Sequence, residues 1–590
     1  MSALTPAAAS TPGFLLWRLR RALRQPVVVI GLGVTAVLAI LVAVPLARLI
    51  GETITFDAGS PWTDVLASRL SENLFWGPLV ATLTVGLVVG IASVVLGAGM
   101  AWLVVMTDAP GRRLIGFLAS LPFVLPSFAL ALAWESVFRN DRVGGRVGLL
   151  WEMGIAVPDW LSWGLVPVCI ILTAHYFSLV FLLVAAALAS VNADLTEAAE
   201  MAGASRGRVA LGITLPVVMP AVVAGFLLAF AEGVSNFAVP ALLGLPVRFQ
   251  TLSTRLYGSI STGQTERGFV LAVLLIVVAG LVLFAASRMT GNRRSYATIT
   301  GKGGRRRTLA LGRWRWPFVA IAAGICLATT VAPALVLALS SLARRSGQLT
   351  GELTLHYWTG ASDPSIAQGT EGVLRNPQII DAAVTTLLLG VSVAALSALL
   401  ALGIGYVVVR GKGTLLSRGV ELMSFLPFLI PGIALGATYI ALFGRPIGPL
   451  PALYGTFALL VLAGTAATLP FAAQAGRSTM GQVSGDLEEA AVVAGASMPR
   501  RLAAIIVPLS LRGLLAGGVL VFVKMVRDLS LVVLLVTPST TLLSVITFRY
   551  ASEGFAQFAN AITVVIAAIS IGATLLARRL EGAAQPWAEQ

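Results

Sequence analysis

Long apolar runs alternate with short polar stretches along the whole chain. A helix that crosses a bilayer needs about 20 mostly apolar residues. Twelve runs meet that length: 27–50, 78–106, 114–137, 165–190, 214–236, 269–289, 317–341, 380–409, 418–443, 453–475, 506–530 and 556–578. None shows the period-two alternation of a half-buried strand, so the predicted fold class is an all-α polytopic membrane protein with about twelve transmembrane helices.

Composition supports this pattern. Of 590 residues 57% are apolar and only 11% charged, well below the quarter that a soluble domain carries. The net charge of +15 would suggest a nucleic-acid partner if the basic residues formed a patch. They lie instead in short loops between apolar runs. With the N-terminus placed inside, the inside loops hold about twice as many Lys and Arg as the outside ones. That bias predicts a multi-pass protein of the bacterial inner membrane with both termini cytoplasmic and no nucleic-acid partner. Arg18, Arg20, Arg21 and Arg24 precede the first run, which is too long for a signal-peptide core and reads as a retained span.

The chain also repeats itself. Asp194-Leu195-Thr196-Glu197-Ala198-Ala199, Gly203-Ala204-Ser205 and Leu215-Pro216 recur as Asp486-Leu487-Glu488-Glu489-Ala490-Ala491, Gly495-Ala496-Ser497 and Val507-Pro508, all displaced by 292 positions. Upstream, Leu121-Pro122-Phe123-Val124-Leu125-Pro126 recurs as Leu426-Pro427-Phe428-Leu429-Ile430-Pro431, displaced by 305 because the loop at 139–163 is longer in the first copy. Six runs per copy put both loops on one side of the membrane, so the two repeats of six are parallel. The expected organisation is a first permease-like half at 1–290, a linker at 291–316 and a second half at 317–590. The segment 288–315 holds nine basic and no acidic residues, and is expected to lie on the cytoplasmic side against anionic lipid.

Each copy of the loop reads as a short helix, a sharp turn and a second helix. Asp194 and Asp486 are expected N-caps, with Glu197 and Glu489 three positions on in a capping-box-like pair. Gly203 and Gly495 are expected to end the helices in the left-handed region. The small apolar face suits insertion into a groove on another protein.

Glu-Ala-Ala, a glycine six positions after the Glu, and a Leu-Pro-like pair further on resemble the signature loop of inner-membrane permeases of binding-protein-dependent ABC importers. The resemblance covers both halves. It implies that Glu197, Ala198, Ala199 and Gly203, and Glu489, Ala490, Ala491 and Gly495, couple the chain to an ATPase subunit. Val507-Pro508 departs mildly from the usual Leu-Pro. The fused layout looks most like ferric-iron permeases; thiamine and aminoethylphosphonate permeases share it. The implied activity is import of a solute by alternating access. The implied partners are two copies of the ATPase and a periplasmic solute-binding protein.

Catalytic chemistry on this chain is not expected. Gly301-Lys302-Gly303 and Gly411-Lys412-Gly413 lack the hydroxyl residue of a phosphate loop, so ATP and Mg are expected on the partner ATPase and no cofactor here. Cys169, Cys326, His175 and His356 form no metal-ligand cluster in sequence, and no nucleophile–base set is visible. An ion-gradient-driven secondary transporter would explain the spans and the repeat, but not two docking-type loops.

Charges inside apolar runs remain. The shift of 292 pairs Glu232 with Lys524 and Asn236 with Asp528, and Arg527 adjoins Asp528. Ionisable groups cost about 2.5–3.5 kcal/mol each near a membrane helix centre and so face partners or water. These five are candidate pathway or gate residues. Glu232 and Lys524 are expected to oppose each other across the pathway, and Arg527 and Asp528 to pair locally.

Overall fold

The computed structural model describes residues 25–55, 60–191, 193–290, 309–348 and 351–581. Among them the regular structure is helical throughout, and ten helices are long and apolar enough to cross a membrane. The principal helices of the first half are α1 (Pro26–Ile54), α2 (Glu72–Met106), α3 (Arg112–Ser120), α4 (Ser127–Phe138), α5 (Leu165–Ala189), α6 (Ala193–Met201), α7 (Leu215–Ser235), α8 (Ala238–Leu243), α9 (Leu252–Ser261) and α10 (Thr265–Thr290). Those of the second are α11 (Gly312–Leu342), α12 (Pro377–Arg410), α13 (Leu415–Phe425), α14 (Gly432–Phe443), α15 (Phe457–Gln482), α16 (Gly485–Val493), α17 (Val507–Arg527), α18 (Leu543–Glu553) and α19 (Ala556–Glu581).

The third apolar run of each half, expected as one span, is broken. The first-half run splits into α3 and α4, and the second-half run bends by 108° between Leu415–Leu429 and α14. The repeated proline motif is the cause. Pro126 and Pro431 have extended backbones, with ψ 144° and 139°, and each immediately precedes a new helix. Proline cannot donate to the preceding turn, and it drives the residue before it out of the helical region.

The halves share one packing scheme. α2, α5 and α7 pack as a triad, and α12, α15 and α17 form its mate. Thr82 on α2 accepts a hydrogen bond from Leu252 N (2.8 Å), and Thr386 on α12 accepts one from Leu543 N (3.0 Å). Four residues on, a methyl added to Gly86 would come within 2.7 Å of Val234, and one added to Gly390 within 2.7 Å of Phe522. These pairs set the register of α2 on α12 at a shift of 304. Small residues at such crossings let helix backbones approach where lipid gives no hydrophobic drive to associate.

Each half's first helix crosses to the other half. α1 packs against α12, α13 and α14, and the Tyr439 hydroxyl donates to Leu41 O (2.7 Å). α11 packs against α3 and α4, where Thr330 Oγ1 donates to Leu118 O (3.1 Å). Nearby, Asn560 Nδ2 donates to Ser340 Oγ (2.6 Å) and Ser136 Oγ (3.3 Å), joining α19, α11 and α4. The exchange ties two sequence-related halves into one body with a pseudo-twofold relation.

Candidate functional site

The Glu-Ala-Ala loops lie at one end of the molecule, at the N-terminal ends of α7 and α17. Gly203 (φ 87°) and Gly495 (φ 77°) both sit in the left-handed region. Ala204 N donates back to Ala199 O (3.0 Å), and Ala496 N to Ala491 O (2.9 Å), closing the same C-terminal turn twice. Glu197, Ala198, Glu489 and Ala490 are exposed, while Ala199 and Ala491 are half-buried. The capping residue differs from expectation. Ser484, not Asp486, begins α16, and its Oγ accepts from Asp486 N (3.2 Å). A hydroxyl two residues earlier reaches the orphan amide, and Asp486 moves into the first turn, where a carboxylate complements the helix dipole. The side chain of Asp194 lies outside the described residues.

The second region is central. α7 and α17 both stop in mid-structure, and the residue after each is extended: Asn236 at φ −68°, ψ 123° and Asp528 at φ −70°, ψ 129°. Asn236 Oδ1 accepts from Val239 N (3.0 Å) and Asp528 Oδ1 from Leu531 N (2.9 Å). Both side chains thus cap the turn that follows. Phe237 N donates to Ser530 Oγ (3.3 Å), joining the two turns across the pseudo-twofold relation.

Two cavities of about 90 Å³ each flank this junction, and Tyr176, Glu232, Asn236, Lys524, Asp528 and Ser530 line both. One cavity is completed by the first broken helix and α5, with Phe123, Ser127 and His175; the other by the second broken helix and α15, with Phe428, Gly432 and Ala467. These completing residues are repeat mates, so the cavities are pseudo-symmetric. All five sequence-predicted pathway residues line at least one of them.

The expected ion pairs are not made in this conformation. Among the described residues no salt bridge joins Glu232 to Lys524, which line both cavities, or Arg527 to Asp528, which share one. The cations rest on aromatic faces instead. Lys524 Nζ is 4.3 Å from the Phe471 ring centroid, and Arg527 Cζ is 4.5 Å from that of Phe123. A ring face offers a desolvated cation partial compensation. Arg527 Nη1 also donates to Leu125 O (3.3 Å), a carbonyl left free by the break at Pro126. Asn236 Nδ2 donates to Ser127 Oγ (3.1 Å) and to the Tyr176 hydroxyl (3.0 Å).

Several lining residues were not singled out in the sequence. Tyr176 is one polar group among many in an apolar run. Phe123 and Phe428 lay within the repeated proline motif, which signalled a repeat but not a cavity wall. His175 is buried with its Nδ1 lacking a partner, and no group of three or more His, Cys, Asp or Glu that could hold a metal occurs among the described residues.

A protein with two helical halves, a cavity at their junction and matching loops at one end has the architecture of a transporter's membrane component. The chain belongs to the family described as binding-protein-dependent transport system inner membrane component, whose model matches residues 93–296 and 397–583, once in each half. It is 26% identical over 77% of its length to the ferric transport system permease protein FbpB of Actinobacillus pleuropneumoniae, and spans 63% of that relative's length. A probable ABC transporter permease protein of Sinorhizobium fredii is 26% identical over 80% of the chain and 81% of its own length. The molybdenum transport system permease protein ModB of Escherichia coli is 27% identical over 37% of the chain and 96% of its own length.

Proposed function

We propose that this chain is the permease subunit of an ATP-driven, binding-protein-dependent importer of ferric iron in the bacterial inner membrane, with both termini cytoplasmic. Two ferric permeases that match across both halves support the iron assignment. The ferric relative matches over 77% of the chain and so reaches both halves, whereas the molybdenum relative matches over 37%. Family membership sets an ATP-driven importer above an ion-gradient-driven transporter.

In this reading two ATPase subunits, carrying ATP and Mg, dock on the loops at Glu197–Gly203 and Glu489–Gly495. A periplasmic binding protein delivers the solute to the opposite face. Movement of the loops is passed to α7 and α17, which follow them directly in the chain and whose far ends line the central cavities. Alternating access then opens and closes the junction around Glu232, Asn236, Lys524, Arg527 and Asp528. Opposite signs at the mated positions 232 and 524 let the halves meet without repulsion.

The test is uptake into proteoliposomes holding the permease and its co-expressed ATPase, with the binding protein added outside. The expected result is ATP-dependent accumulation of labelled ferric iron, with little labelled molybdate, sulfate or thiamine. Accumulation of one of those solutes in place of iron would overturn the iron assignment. Uptake that follows an ion gradient and ignores ATP would overturn the importer class.

A further inference from the structure

Glu488 lies in the first turn of α16, beside the Glu-Ala-Ala residues, and is buried. The Tyr406 hydroxyl donates to its Oε1 (2.7 Å), Arg410 Nε to its Oε2 (3.2 Å) and Arg501 Nη1 to its Oε1 (3.4 Å). Tyr406 and Arg410 stand one helical turn apart at the loop end of α12, so both reach the same carboxylate. Arg410 Nη2 also donates to Val483 O (3.0 Å) and Ser484 O (3.4 Å), the carbonyls between α15 and α16. Glu488 and Arg410 therefore bind together α12, the residues that follow α15, the docking helix and the turn after it.

The first half carries different residues at the mated positions. By the register of Thr82 on Thr386, the mates of Tyr406 and Arg410 are Trp102 and Met106. By the shift of 292, those of Glu488 and Arg501 are Thr196 and Val209. None of the four is ionisable. The loop end of α2 is joined instead to the C-terminal part of the basic linker: Leu309 N donates to Met106 O (2.8 Å), and Asp108 Oδ1 accepts from Leu311 N (3.0 Å).

We propose that the two docking loops are mechanically unequal: Tyr406, Arg410 and Arg501 clamp Glu488 so that the second loop moves as one piece with α12, a set that the mated positions of the first half do not carry. Glu488 is a positioning residue, one place before the exposed Glu489 that is offered to the partner. With the docking reading above, the two ATPase subunits are then held by unlike supports, and displacement of the second passes into α12 as well as α17. Val493 and Met201 are repeat mates and both nearly fully exposed, at 89% and 90%, so they report on the two loops independently.

Hydrogen–deuterium exchange on the full permease in lipid nanodiscs, without ATPase, tests the clamp. Residues 485–496 are expected to exchange about tenfold more slowly than 193–204. Glu488→Gln should bring 485–496 to the rate of the first loop and leave 193–204 and the membrane helices unchanged. Arg410→Met, which installs the first-half residue, should act in the same direction without touching the docking helix. Equal rates in the two loops of the parent would overturn the proposal. So would a Glu488→Gln variant that leaves 485–496 unchanged or accelerates both loops. With the ATPase bound, cross-linking from Val493→Cys should weaken in the Glu488→Gln background and that from Met201→Cys should not. If neither cysteine cross-links while the exchange difference holds, the clamp stands and the docking reading falls.

Discussion

His175 and Ala467, Glu232 and Lys524, Ser235 and Arg527, and Asn236 and Asp528 occupy the same places in the two halves around the central cavities. None of these pairs is identical. A few turns away Thr82 and Thr386 make the same hydrogen bond, and Gly86 and Gly390 make the same close helix approach. The contrast separates helix crossings that keep one residue type from cavity positions that do not. The crossing at Gly86 and Gly390 keeps glycine in both halves, where an added methyl would come within 2.7 Å of a side chain. A cavity wall has no such constraint and can differ in charge, size and hydrogen bonding on its two sides. Only the capping function survives the change at 236 and 528, because amide and carboxylate oxygens accept from the following turn equally well.

The largest effect is expected where both halves use one device with no slack. Gly203→Leu and Gly495→Leu each force a side chain into the left-handed region, at roughly 1–2 kcal/mol of strain. An added Cβ meets nothing within 4 Å at either site. Insertion and melting should therefore stay near parental, while stimulation of ATP hydrolysis by loaded binding protein should be lost. Glycine→Asn at the same sites should retain most of it, since Asn tolerates this conformation. A Leu variant at both sites that still couples hydrolysis to uptake would show that these loops are not the docking elements.

A smaller effect is expected at the unequal pair. Asn236→Ala removes contacts to Ser127, Tyr176 and Val239 and should cost about 1–2 kcal/mol. Asp528→Asn keeps the acceptor for Leu531 N and should cost less than about 1 kcal/mol. Thermal unfolding followed with a thiol-reactive dye suits this comparison, because Cys169 and Cys326 are both buried until the fold opens. A larger loss in Asp528→Asn than in Asn236→Ala would contradict the reading that Asn236 holds its turn through more hydrogen bonds than Asp528 does.

Much of this was legible in the sequence. The shift of 292 located both loops, and their glycines adopt the left-handed turn that their position required. The same shift brought Glu232, Asn236, Lys524, Arg527 and Asp528 to attention as costly groups in apolar runs, and they line the same small region. What hydropathy could not show was the break in the third run. A run of apolar residues through Leu121–Pro126 reads alike whether the helix continues or stops, since lipid exposure and burial in protein both favour apolar side chains. The clamp on Glu488 was hidden for a related reason: Tyr406 and Arg410 are far from it in sequence and converge on it only through packing. The crossing of α1 and α11 between halves leaves no local pattern. The departure at Ser484 was a choice between two good caps two residues apart.

The pathway assignment rests on Glu232 and Lys524 meeting as the halves move, and exchange of their charges tests it most directly. Glu232→Lys should reduce ATP-dependent uptake by placing two cations at the junction. Lys524→Glu added to it should restore a substantial part, with both proteins inserted at parental levels. Failure of the double variant to regain any uptake over the single variant, at equal insertion, would contradict the account.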